Sequence, residues 1–179
     1  MGPKKFAQLE KRITQAGKWH CGATESKGKM NKESFPLSRG RGYILGTPYH
    51  WRVDHWEAGP MKGRLLIAYH LGKENYLAWL SIERGPKEYA VALCLEYHGD
   101  HPGWHVHTGT GPVKDFAVGC TRQRILGIRK PGKGSYHRPR RAAGGELIEA
   151  AGMSQITALN IAYRAFRIVD ATADKDLFS

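Results

Sequence analysis

The sequence predicts an α+β fold: an antiparallel sheet of about five strands with a helix near each end of the chain packed on it. Three observations lead there. Between Arg64 and Tyr97, apolar runs of strand length alternate with short turns rich in Gly, Pro and Asn, and connections that short join antiparallel neighbours. Toward both ends the apolar spacing changes to three and four residues, the period of an amphipathic helix. No internal repeat and no interdomain linker interrupts residues 1–179, which read as one domain.

The elements follow in order. Residues 1–42 form a basic, polar region that begins with a predicted helix over 4–16, where Phe6, Leu9 and Ile13 share a stripe and Gly17 is the stop. Trp19-His20-Cys21 offers two metal ligands, but no second pair stands at finger-like spacing. The sheet core is placed at 43–128. Its first strand lies within Tyr43 to Glu57, where Tyr49, Trp51, Val53 and His55 alternate with His50, Arg52, Asp54 and Trp56. Arg64 to Leu71, Tyr76 to Glu83 and Glu88 to Tyr97 follow as a meander, and Trp104 to Thr108 returns alongside the last of them. A basic arm spans 122–141. A C-terminal helix is predicted over about 154–169, capped by Ser154, with Ile156, Leu159, Tyr163 and Phe166 as its apolar stripe.

Composition narrows the class of partner. The formal charge is +12, from 28 Lys and Arg against 16 Asp and Glu, and a surplus of that size favours polyanions, nucleic acid first. The three cysteines, Cys21, Cys94 and Cys120, are widely spaced and odd in number. That is no disulfide framework, and it suggests a reducing compartment, the cytoplasm. No run of about 18 apolar residues predicts a membrane span, and the residues after Met1 lack the apolar segment of a secretory signal.

The chemistry concentrates in Glu96 to Thr108, which holds four histidines, a glutamate and an aspartate in thirteen residues. In a strand alternate side chains share a face, so His105 and His107 point one way and Trp104, Val106 and Thr108 the other. If 98–103 is the connecting loop, Tyr97 sits opposite Trp104, Glu96 opposite His105 and Cys94 opposite His107. Directly opposed side chains lie about 5 Å apart. Glu96, His105 and His107 then converge, and Ala92 and Ala90 are expected to continue that face with room for a ligand. Two imidazoles and a carboxylate suit a divalent ion, Mg²⁺ or Mn²⁺, with zinc also served by imidazole. Such an ion would polarise a phosphoryl oxygen as a phosphodiester is attacked. The other reading of the same residues is a histidine-rich hairpin with no ligand. His98, Asp100 and His101 fall in the expected loop and receive no role.

Trp104-His105-Val106-His107 resembles the histidine-hydrophobic-histidine motif of the HUH endonucleases, the superfamily of plasmid relaxases, rolling-circle replication initiators and single-tyrosine transposases. The resemblance implies that His105 and His107 bind a divalent metal from a central antiparallel strand, with Glu96 as the matching third ligand. It also implies a tyrosine on a later helix that attacks single-stranded DNA. Tyr163 is the matching residue, and the spacing is most similar to the single-tyrosine transposases. On its own pattern Tyr163 lies on the apolar stripe, where it reads as a packed core tyrosine.

Arg122, Arg124, Arg129, Lys130, Lys133, Arg138, Arg140 and Arg141 make an arm able to track phosphates, and from Phe116 to Gly145 there is no acidic residue. Tyr136 and His137 within it are placed to stack on bases, which favours single-stranded DNA or RNA over duplex. A charge run is also the ordinary make-up of a solvated surface. The expectation is a nucleic-acid-binding, metal-dependent enzyme that cleaves or transfers phosphodiesters. The alternatives are an accessory protein of a phage or mobile element that binds nucleic acid or blocks a partner, and a metal-independent ribonuclease using a histidine acid/base pair.

Overall fold

A computed structural model describes residues 1–24, 30, 45–70, 72, 75–86, 88–98, 103–109, 111–118 and 153–170. The chain opens with a short helix α1 (Pro3–Gln8), then strands β1 (Lys11–Gln15) and β2 (His20–Cys21). Four long strands follow: β3 (Tyr49–Ala58), β4 (Met61–His70), β5 (Asn75–Gly85) and β6 (Glu88–His98). Then come β7 (Gly103–Thr108), a 3-10 turn (Val113–Asp115), helix α2 (Gln155–Phe166) and strand β8 (Ile168–Val169). One mixed, curled sheet runs β7-β6-β5-β4-β3-β1-β8, with β2 paired to β3 off that path. All its pairs are antiparallel except β1 with β8.

This overturns the expected α+β arrangement of about five strands and two terminal helices. The meander from β3 to β7 is present, each strand within a few residues of its expected bounds. What differs lies at the ends. The predicted helix over 4–16 stops at Gln8, because Leu9 turns to extended backbone (φ −66°, ψ 131°). Lys11 and Ile13 then alternate inward along β1, and pairing with β3 and β8 overrides the helical spacing of Phe6, Leu9 and Ile13. Among the described residues only α2 exceeds two helical turns.

Ser154 caps α2 as expected, its hydroxyl accepting from Thr157 N at 3.1 Å. The helix ends earlier, at Phe166, because Arg167 adopts the left-handed conformation (φ 53°) and the chain leaves as β8. The buried stripe is also rotated. Ala158, Ile161, Ala162 and Phe166 face the sheet, while Ile156 is 72% exposed. Small Ala158 and Ala162 let the helix sit close, and the Tyr76 hydroxyl donates to Ala158 O at 3.0 Å.

The sheet carries a core on each face. Helix α2 and Phe6 of α1 cover one, packing on Trp56, Leu65, Ile67, Leu80 and Leu95. The other gathers Trp51, Leu66, Ala68, Trp79, Val91 and Cys94 beneath Met30. A β-bulge on β6 decides which residues reach which face. Leu80 pairs with Leu93, yet Ser81 pairs with Val91, so Ala92 is the extra residue. Cys94 therefore shares a cluster with Val91, while Ala90 and Ala92 join Leu93 and Leu95 on the helix-covered face.

Candidate metal centre

Pairing between β6 and β7 sets the site. Glu96 stands opposite His105, Cys94 opposite His107 and Tyr97 opposite Trp104, the register expected from alternation and loop length. Glu96, His105 and His107 consequently project from the face that carries Trp79 and Cys94. Glu96 Oε2 lies 3.4 Å from His105 Nε2 and 3.6 Å from His107 Nε2. The two rings are 4.8 Å apart, edge to face. Glu96 and His105 are almost fully buried, at 3% and 5% exposure. His107 is the more open of the two histidines, its side chain 10% exposed.

One further side chain fixes the carboxylate. The Trp79 indole N–H donates to Glu96 Oε1 at 3.0 Å. That bond engages one oxygen and leaves Oε2 presented to the imidazoles, the arrangement by which an outer partner orients a ligand. The donor atoms of Glu96, His105 and His107 all lie within 4.8 Å of one another, so the three could hold a metal ion. Their O···N separations exceed the 2.7–2.9 Å typical of a charge-assisted hydrogen bond.

The open floor expected from Ala92 and Ala90 is not there. The bulge at Ala92 turns both alanines to the opposite face, and Val91 packs with Cys94 and Trp79 below the histidines instead. The site's open side lies in the other direction, toward His98, whose side chain is 33% exposed.

His98, left without a role by the sequence, belongs to this cluster. It ends β6 two residues after Glu96 and so shares its face. Its Nε2 is 3.5 Å from Glu96 Oε2, and its ring lies over His105 at 5.1 Å with 27° between planes. Its Nδ1 meets Asn75 Oδ1 at 3.2 Å. Asn75 also hydrogen-bonds to Tyr49. Burial raises its phenol above the ordinary value, a hydrogen bond from Asn75 opposes this, and the Glu96 charge adds to it. The period-two step from Glu96 to His98 was the available signal, hidden by reading His98 as loop. Trp79, Asn75 and Tyr49 gave none, because Trp79 and Asn75 come from the neighbouring strand β5 and Tyr49 from β3, outside the hairpin.

Tyr163 is not brought to the histidines. Its hydroxyl donates to Asp54 Oδ2 at 3.1 Å on the helix-covered face. Asp54 is fully buried on β3 and also accepts from Arg52 Nε at 2.6 Å and Gly17 N at 2.7 Å. A Cβ on Gly17 would stand 2.1 Å from Val53 O, so only glycine brings that amide so close. Strands β4 and β5 separate β3 from β6, three strand spacings or roughly 14 Å, and the sheet itself stands between. Burial first, then the Asp54 charge, raise the Tyr163 phenol far above its ordinary value and keep it protonated. The tyrosine that the resemblance implied as nucleophile thus donates its hydroxyl to Asp54, apart from the histidines.

Arg122, Arg124, Arg129, Lys130, Lys133, Tyr136, His137, Arg138, Arg140 and Arg141 all lie outside the described residues. His20 and Cys21 point to opposite faces: His20 stacks on Trp51, and Cys21 pairs with His50. They make no joint ligand pair. Among the described residues no helix is long and apolar enough to cross a membrane. No family model, no characterised protein and no solved structure matches the chain.

Proposed function

We propose that this protein is a metal-dependent enzyme that cleaves phosphodiester bonds in nucleic acid, with Glu96, His105 and His107 as the ion's ligands. One observation carries the reading: two imidazole nitrogens converge on a single buried carboxylate oxygen whose partner oxygen is tied down by Trp79. Three protein ligands leave a coordination position for substrate, as catalytic sites require. Bound there, an ion would polarise a phosphoryl oxygen and offset the charge that develops during attack. With Tyr163 on the opposite face, water is the nucleophile in this reading. The +12 charge of the chain supports a polyanionic substrate. The acid/base-pair alternative is disfavoured because His105 and His107 face one shared carboxylate rather than opposite sides of an open cleft.

A second reading, an accessory nucleic-acid binder whose ion is structural, is supported by the near-complete burial of Glu96 and His105. One assay separates the two. The chain is incubated with labelled single- and double-stranded DNA and RNA, with and without Mn²⁺, Mg²⁺ or Zn²⁺. Cleavage that a chelator abolishes, and that His105→Ala and His107→Ala lose, is the expected result. Binding without cleavage under every ion sinks the enzymatic reading.

A further inference from the structure

We infer that Tyr49, His70 and Asn75, a row of half-buried side chains beside the candidate metal centre, form a binding site for the bases of a single-stranded nucleic acid. The inference rests on the nucleic-acid reading above and adds where the strand lies. Three observations carry it.

The first is position. Four neighbouring strands each bring one ring or amide to the same end of the sheet. Tyr49 of β3 stands opposite His70 of β4, and Asn75 of β5 stands opposite His98 of β6. His70 and Asn75 each lie one residue beyond the last β4–β5 pair, Tyr69 with Tyr76. Tyr49 packs against the cluster of Trp51, Trp79 and Cys94. Cys94, Glu96 and His98 alternate along β6 and so share that face. The row therefore lies on the face of Glu96, His105 and His107 and begins next to them. Strands β4 and β5 separate β3 from β6, so the row is roughly 14 Å long. Stacked nucleotides at about 3.4 Å each place about four along it, the lower end of the site sizes that single-strand binders use.

The second is continuity. The Tyr49 and His70 rings meet edge to face at 5.0 Å and 82°. The amide of Gly72 donates to His70 Nδ1 at 3.0 Å. Asn75 hydrogen-bonds to Tyr49 and meets His98 at 3.2 Å. Next to Tyr49 on its strand, Trp51 carries His20 stacked on it at 5.5 Å with 16° between planes. The rings are thus oriented before a ligand arrives, which lowers the ordering cost of binding.

The third is the character of the side chains. Tyr49, His70 and Asn75 are all half-buried, whereas Trp51, Leu66, Ala68 and Trp79 further along the same strands are buried. Tyrosine and histidine rings stack on bases, and amide and imidazole nitrogens meet base edges. The row holds no lysine or arginine to grip a phosphate and no acid to repel one, so it suits bases rather than backbone. Base faces and edges are open in an unpaired strand and closed in a duplex, which selects the single strand.

The test is fluorescence anisotropy of the full chain with a labelled single-stranded oligonucleotide, with Mn²⁺ affinity measured in parallel. Tyr49→Ala and His70→Ala should each weaken strand binding roughly tenfold, with Mn²⁺ affinity as in the wild type. Tyr49→Phe, which keeps the ring, should restore most of the loss. A second readout needs no variant. A base analogue whose emission is quenched by stacking is moved along the strand, and its emission should fall on binding over about four consecutive positions. Unchanged strand affinity in both alanine variants, or an analogue bright at every position, overturns the row and leaves metal-dependent cleavage standing. Weakened binding in those variants, with no cleavage under any ion, supports the row and overturns the enzymatic reading. A wild-type chain that binds no strand overturns both.

Discussion

Lys11 shows how much one side chain can organise. Its ammonium is fully buried and donates to the carbonyls of Phe6, Leu9 and Phe166 at 2.7 to 2.9 Å, and it lies over the Phe6 ring at 4.8 Å. One cation thus serves the carboxyl ends of both helices, where the backbone leaves carbonyls without partners. Lys11→Met should destabilise the chain by about 2–4 kcal/mol in denaturant titration, since buried carbonyls lose their donor. Burial, and then the Arg167 charge, hold the ammonium down to about 8 from 10.5. Below about pH 8 both folded and unfolded chains carry the proton, and the cost of burying the charge is present in full. Between about 8 and 10.5 the unfolded chain binds more protons than the folded one, so stability rises with pH. Above about 10 the sign reverses: Tyr76 and Tyr163, raised by burial, stay protonated in the fold while unfolded tyrosines ionise. A melting temperature that climbs from pH 8 to 10 in the wild type and stays flat in Lys11→Met is the expected result.

The elements were legible to different depths. The β6–β7 hairpin was readable in register, because the alternation of Glu96, His105 and His107 and the length of the intervening loop allow one pairing that buries Cys94 and Leu95. The same strand hid its bulge. Nothing local distinguishes Ala92 from its neighbours in Glu88-Tyr89-Ala90-Val91-Ala92-Leu93, and only the partner strand's register shows which residue is extra. Helix α2 was found with its cap, but its buried stripe was not, since Ile156 and Tyr163 fit a helical stripe as well as Ala158 and Ala162 do. Tyr163→Phe tests the resulting placement. Loss of its hydrogen bond to Asp54 should cost about 1 kcal/mol of stability, with Zn²⁺ affinity unchanged. A large loss of metal affinity in that variant would contradict a sheet standing between the two groups.

At the scale of the molecule, charge sets the expectation for partners and the curled sheet sets the place of chemistry. If the basic arm holds nucleic acid through about six phosphates, affinity should fall on the order of 10³-fold between about 50 and 200 mM salt. Fluorescence anisotropy with a labelled single strand reads this directly, and a flat salt response removes the polyanion from the proposal. The sequence by itself determined the meander, the hairpin register and the meeting of Glu96, His105 and His107, because turn length and two-residue alternation act between neighbours along the chain. Tertiary structure alone decided that residues 11–15 are strand, that Ala90 and Ala92 turn away from the histidines, that His98 joins them, and that Tyr163 lies behind the sheet. Each of those depends on which face a distant segment covers, and that choice belongs to packing between residues far apart in sequence.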